Sequence, residues 1–143
     1  MYHARCVAKG MRVNDRMECA ALGLTPIEYI KLSMERSHSN WTWLVDREPA
    51  AIGGIEITSM LGGAAVAWIF TTDIVDEHKL AFTRMTMRMK KAVTAIAPNF
   101  RGHIHARHRE ALRWAQWMGL EISPEFLIGP KAEPHCEVRA VEA

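Results

Sequence analysis

The sequence predicts a single α/β domain, a mixed and mainly antiparallel sheet flanked by helices in the order β-α-α-β-β-β-α-β-α-β-β. Three observations predict it. The chain has 143 residues, 49% hydrophobic and 24% charged, which suits one compact domain able to bury roughly 70% of its unfolded surface. The hydrophobic period switches from helical spacing to alternation between residues 41 and 71. A long helical pattern, a short strand, a second helix and two terminal strands then follow.

Taken in order, Tyr2 to Ala8 reads as a short strand, with Gly10 and Asn14 as turn residues. Asn14 or Asp15 can cap a short helix through Leu22, which Gly23 is placed to end. Thr25, Pro26 and Glu28 occupy N-cap, first-turn and N3 positions, so a second helix runs from Pro26 to about Arg36, with Ile27, Ile30 and Met34 at helical spacing. After the polar break Ser37 to Asn40, Trp41 to Asp46 and Ala51 to Thr58 alternate as strands around a turn at Arg47 to Pro49. Leu61 to Gly63 makes the next turn. The nearly all-apolar run Ala64 to Thr71 suits a central strand covered on both faces, and the three strands form an antiparallel meander.

Thr72 and Asp73 introduce the longest helix, roughly Val75 to Ala97, stopped by Pro98. Arg101 to Ala106 is a short strand, and His108 to Met118 a helix closed by Gly119. Leu120 to Ile128 and Cys136 to Val141 are terminal strands joined by a loop at Gly129 to Pro134. No second domain, repeat or linker is required.

Eighteen Lys and Arg against sixteen Asp and Glu leave a formal charge of +2, a balance that does not indicate nucleic acid. Three cysteines, Cys6, Cys19 and Cys136, have unrelated spacings, which fits small buried side chains in a reducing compartment rather than a disulfide framework. Residues 1 to 20 lack the apolar core of a signal peptide. The longest mostly apolar run, Leu61 to Phe70, is far short of the roughly 20 residues a membrane span needs. A soluble intracellular protein is expected.

The element order, with His108-x-x-Ala111-Leu112 leading to Gly119-Leu120 on the last helix, resembles the GNAT superfamily of acyl-CoA-dependent N-acyltransferases over nearly the whole chain. Ala51-Ile-Gly-Gly54, the strand end Trp68 to Asp73 and the long basic helix are similar, more narrowly, to small GNAT-like proteins of short-tailed bacteriophages, some of them internal virion or core proteins. The resemblance implies a GNAT fold and, if the chain is an enzyme, acetyl-CoA or another acyl-CoA as cofactor. It implies a place in the host cytoplasm or packaged in the virion, and a protein partner from virion or host.

The superfamily binds the coenzyme's pyrophosphate on a Gln/Arg-x-x-Gly-x-Gly/Ala loop whose amides open onto the long helix. Here the matching stretch, Asp73 to Ala81, has no glycine, although close backbone approach to phosphate usually calls for one. Asp73, Asp76 and Glu77 put carboxylates where phosphate charge would go. The resemblance leaves backbone groups of Phe70, Thr71 and Thr72 to hold pantetheine, and Lys79 and Ala81 beside the diphosphate, with Lys79 and Arg84 as partial compensation.

Acyl transfer to an ammonium also needs a base. Glu56, opposite in alternation to Ile55 and Ile57, is one candidate, and its other reading is a solvated strand position. His105 is the second, within His103-x-His105-x-x-His108, where His103 and His105 share a strand face. That cluster reads equally as ordinary partly buried histidines, and no metal site is assigned. The superfamily often supplies an acid as a tyrosine near Ala115, which cannot donate a proton, and Tyr2 and Tyr29 are the only tyrosines.

Arg84, Arg88 and Lys91 recur on one face of the long helix, with Met85 and Met89 marking another. They read as a solvated face or as a patch for nucleic acid or an acidic partner. Trp114 and Trp117, three apart, are most simply core, whereas an exposed pair would suggest an interface. Two functions follow: a phage-encoded GNAT-like protein with a degenerate coenzyme loop, acting through protein contacts as a virion-interior or host-interacting factor, or an acyl-CoA-dependent N-acyltransferase with a modified cofactor site. The missing glycines favour the first.

Overall fold

The computed structural model describes residues 1–59, 61 and 64–141. Six helices and seven strands follow one another as α1 (Tyr2–Gly10), α2 (Val13–Ala21), α3 (Pro26–Arg36), β1 (Ser39–Val45), β2 (Glu48–Ser59), β3 (Ala64–Thr71), α4 (Ile74–Glu77), α5 (Lys79–Ile96), β4 (Asn99–His105), α6 (Arg109–Trp117), β5 (Glu121–Ile122), β6 (Phe126–Ile128) and β7 (Glu133–Arg139). Of the turn expected at Leu61 to Gly63, only Leu61 lies inside the described residues.

The sheet runs β1-β2-β3-β4-β7-β5, with β6 also paired to β7. β1, β2 and β3 form the expected antiparallel meander, and β3 and β4 pair in parallel. Helices cover both faces. On one, Ala4, Val7, Cys19 and Ile30 pack from α1, α2 and α3 against Ile52 and Phe70. On the other, Val93, Ala115 and Met118 pack from α5 and α6 against Ile55, Ala65, Phe100 and Val138. Ile30, Ile52 and Ile55 are among the largest fully buried side chains, each worth roughly 1.5–3 kcal/mol of apolar burial.

The diglycine Gly53-Gly54 has a packing role. It lets one indole lie on each face of β2. A Cβ on Gly53 would meet Trp41 at 3.5 Å and the Trp68 carbonyl at 2.8 Å; one on Gly54 would sit 2.7 Å from the Trp68 ring.

Four expectations are corrected. Tyr2 to Ala8 is helical rather than extended: its buried residues Ala4 and Val7, followed by buried Met11, recur at helical spacing, and Arg16 satisfies the last carbonyls through bonds to Ala8, Lys9 and Met11. The long helix is interrupted at His78, whose backbone leaves the helical region (φ −132, ψ 38) while its ring Nδ1–H donates to the Ile74 carbonyl at 3.0 Å. The strand expected over Leu120 to Ile128 is two short pieces, because Ser123 and Pro124 break it: Pro124 has no N–H to donate, and Ser123 Oγ accepts from the Glu137 amide instead. The last strand lies earlier than Cys136 to Val141, at Glu133–Arg139, because it pairs with β6 from Glu133 opposite Ile128 and with β4 from His135 opposite His105. Among the described residues, no helix is long and apolar enough to cross a membrane.

Candidate functional site

β3 and β4 pair only from Ala64 to Val66 with Asn99 to Arg101. Beyond that point no pairing joins them, and a cleft of about 640 Å³ occupies the gap, walled by Trp41, Phe82, Trp114 and Trp117 and reaching Asp15, Glu18 and His108. Strands that diverge leave backbone donors and acceptors without a ladder partner, and buried ones must find another.

The joint between α1 and α2 supplies those partners. Met11 makes an isolated antiparallel bridge with Thr72, and the Arg12 amide donates to the Thr71 carbonyl at 3.0 Å. Asp15 Oδ2 accepts from both the Thr71 amide, at 2.8 Å, and the Thr71 hydroxyl, at 2.7 Å. One turn further along α2, Glu18 Oε1 accepts from the His105 amide at 3.0 Å. Two carboxylates from one helix thus bridge the open strands, one bound to each.

Burial pushes the Asp15 carboxyl up to about 6, and the charge of Glu18 acts in the same direction, while the Thr71 hydroxyl bond opposes it. Asp15 is only 6% exposed. What favours the ionised form is the pair of hydrogen bonds that Oδ2 accepts from Thr71, with the charge of His108 adding to it. His108 Nδ1 stands 3.9 Å from Glu18.

At the mouth of the gap, Arg12 Nη2 lies 3.1 Å from both Asp76 on α4 and Glu110 on α6. Lys79 stands 3.7 Å from the other Glu110 oxygen. Deeper, α5 and α6 are joined by the stacked rings of Phe82 and Trp114, with centroids 6.0 Å apart. The Trp114 indole N–H donates to Thr86 Oγ1 at 3.3 Å, and Lys90 Nζ donates to the Met118 carbonyl.

The residues singled out from the sequence fall in different places. Phe70 is core, edge-on to Tyr29 at 5.0 Å. Thr71 is bound by Asp15 and Arg12 as above, and the Thr72 amide and hydroxyl both donate to the Ala50 carbonyl, at 2.9 and 3.0 Å. Lys79 and Ala81 are exposed at the start of α5. Glu56 is half-buried on β2 opposite Val66 and does not line the cleft. Nor does His105, whose Nδ1 accepts from the Arg107 amide at 3.1 Å. That fixes the proton on Nε2, which donates to Glu133 at 3.2 Å, so neither ring nitrogen has a free lone pair. His103 does line the cleft, and burial lowers its pKa despite nearby Glu137. Among the described residues, no group of three His, Cys, Asp or Glu is arranged to hold a metal ion.

Arg12, Asp15 and Glu18 were not distinguished as site residues by the sequence. The available signal was local: Asp15 precedes Cys19 by four positions, so a carboxylate shares the buried face of α2 with a fully buried thiol.

No family model matches the sequence, and no curated protein matches it. Solved structures do. A probable acetyltransferase of the GNAT family from Chromobacterium violaceum superposes with a TM-score of 0.69 at 11% identity, over 96% of this chain and 80% of that one. The chain has a GNAT-like fold. A Bacillus subtilis acetyltransferase in complex with CoA gives 0.62 at 11% identity, over 81% of this GNAT-like chain and 84% of the other. A spermidine N-acetyltransferase from Vibrio cholerae gives 0.61 at 9% identity, over 81% and 75%.

The residues present do not fit the coenzyme that this fold implies. The Thr71 amide and carbonyl, at the strand end where pantetheine would bond, are taken by Asp15 and Arg12. Asp73 to Ala81 offers no glycine, the helix breaks within it at His78, and Asp76 engages Arg12 there.

Proposed function

We propose that this GNAT-like chain acts through protein contacts and not by acyl transfer, as an internal virion or host-interacting factor encoded by a bacteriophage. The observation that carries the non-catalytic half is Asp15 bound to the Thr71 amide and hydroxyl. A buried carboxylate with two donors occupies the strand edge that a thioester cofactor would use, and displacing it would strand both donors, at about 1–3 kcal/mol each. The phage half rests on the similarity carried by Ala51 to Gly54 and Trp68 to Asp73.

Thermal titration with acetyl-CoA tests the first half. A ligand present at a hundred times its Kd stabilises a fold by about 2.7 kcal/mol, so a micromolar site would be plain at millimolar coenzyme. No shift is expected. Micromolar binding that Ala81→Asp abolishes would instead support an N-acyltransferase, with Phe70, Thr71, Thr72, Lys79 and Ala81 toward the coenzyme; Glu56 or His105 could serve as its base only if the side chain turned into the cleft and, for His105, gave up its bond from the Arg107 amide. The splayed strands and the cleft between them favour that second reading. Peptide mass spectrometry of purified virions tests the phage half, and particles lacking this chain would refute a packaged role.

A further inference from the structure

We propose that the cleft between α5, α6 and the open strands binds a free long-chain carboxylic acid, its chain inside the cleft and its head on Arg113 at the mouth. Such a site is additional to the protein contacts proposed above, and rests on that reading only in that no coenzyme fills the same space.

The walls are apolar along most of their length. Trp41 comes from β1, Phe82, Met85 and Met89 from α5, and Trp114 and Trp117 from α6. The cleft runs from Trp117, 63% exposed, inward to Phe100 and Val138, each 6% exposed in the core between α5, α6 and the sheet. At about 640 Å³ it falls within the roughly 300–1,000 Å³ of small-ligand sites, which are likewise mostly apolar with a few polar groups that orient the ligand. An apolar body that fills such walls takes them out of water. Met85 and Met89 are unbranched and polarisable, so they can shape themselves to a flexible chain.

Charge selects the head. Of the acids that reach the cleft, Asp15 is bound to Thr71, Glu18 to the His105 amide, and Glu110 to Arg12 and Lys79. Lys90 is spent on the Met118 carbonyl. Arg113 is different. It lines the cleft, is exposed, and makes no ion pair or side-chain hydrogen bond with any described residue. It lies four positions before Trp117 on α6, so the guanidinium and the indole share one helix face, and both line the cleft. A carboxylate can meet the guanidinium through paired N–H donors while its chain passes over the indole and inward. An apolar interior with an unpartnered cation at its entrance fits a molecule with one anionic end.

Calorimetry of the full chain with dodecanoate below its micelle-forming concentration tests the proposal, with tryptophan emission as a second readout because three indoles wall the cleft. Dodecanoate should bind about 15-fold more tightly than decanoate, at about four-fold per methylene. Arg113→Gln should weaken dodecanoate about three-fold and leave dodecanol unchanged. Met89→Glu, which puts a charge on the wall, should abolish binding of both; should that variant fail to fold, Arg113→Gln still decides, since its side chain has no partner to lose. Absence of dodecanoate binding, indifference to chain length, or an equal response of acid and alcohol to Arg113→Gln would each overturn the proposal. Tighter binding of dodecylamine would mean that Asp15 and Glu18 select the head, and would overturn the carboxylate. Binding to anionic vesicles that dodecanoate does not displace would mark a membrane contact and overturn a free acid as the ligand. Tighter binding of dodecanoyl-CoA than of dodecanoate would mark an acyl-coenzyme channel and refute the non-catalytic reading as well, whereas failure of dodecanoate alone leaves that reading standing.

Discussion

Asp15 is the residue on which the most structure converges, and its ionisation is opposed by its surroundings. A carboxyl held at about 6, against an ordinary 3.8, binds its proton more readily in the folded state than in the unfolded chain. Its contribution to stability is therefore fully present below about pH 3.8 and is lost as pH rises through 6. Asp15→Asn keeps an oxygen for the two Thr71 donors and removes the charge. The variant should match the wild type near pH 4 and be more stable at pH 8, by at most about 3 kcal/mol at 1.36 kcal/mol per pKa unit. Asp15→Ala should be less stable at both, because the Thr71 amide and hydroxyl lose their acceptor. Urea denaturation of the three proteins at the two pH values measures it; an Asn variant that gains nothing at high pH would show that Asp15 is not desolvated.

Gly54 makes an equally local prediction. An added Cβ would lie 2.7 Å from the Trp68 ring and 2.9 Å from the Ser39 carbonyl. The indole cannot swing away freely, because its N–H is bound to Ser37 Oγ at 2.8 Å. Gly54→Ala should cost about 1–3 kcal/mol, lowering the melting temperature by roughly 3–10 °C. Gly10→Ala, whose new Cβ would meet only the Thr72 side chain, at 3.4 Å, is the control and should change it little.

Among the elements, those specified by short-range chemistry were legible in the sequence. The helix Pro26–Arg36 begins and ends where Thr25, Pro26, Glu28 and Ser37 place it, and the reciprocal bonds are present, Glu28 amide to Thr25 Oγ1 at 3.3 Å and Thr25 amide to Glu28 Oε2 at 3.0 Å. Thr25→Ala should therefore cost about 1 kcal/mol, read as a lower chemical-denaturation midpoint, and Thr25→Ser should recover most of it. The first helix was not legible in this way. Tyr2 to Ala8 alternates well enough for a strand, and what makes it helical is tertiary: Ala4 and Val7 pack under Ile52 and Phe70, and the Arg16 guanidinium, from the next helix, takes its terminal carbonyls. The break at His78 was hidden for a related reason. No Gly or Pro marks it, and the imidazole supplies the bond to Ile74 that the backbone gives up.

At the scale of the whole molecule, the meander and the order of long helix, strand and helix after it could be read from hydrophobic period, whereas the parallel pairing of β3 with β4 is known only from the structure. The site could not, because it is made by long-range pairings: Asp15 to Thr71 and Glu18 to His105 join residues that no local pattern connects. Arg12 extends the same strap outward to Asp76 and Glu110, tying both helical layers across the opening of the sheet. The three free cysteines offer probes of that connection. Cys6 is half-exposed, Cys19 is fully buried beside Met11, and Cys136 is buried on β7. Burial and the charges of Asp15 and Glu18 push the Cys19 thiol up to about 12, so it reacts only when α2 lifts and water reaches it. In a thiol-labelling time course followed by peptide mapping, Cys6 should react first and the other two slowly. Arg12→Ala removes the guanidinium and leaves the backbone bond to Thr71 in place, so it should accelerate Cys19 several-fold while Cys136 keeps its rate. Equal acceleration of both would mean that the layers open as one unit, and that the strap is not a separately anchored part of the fold.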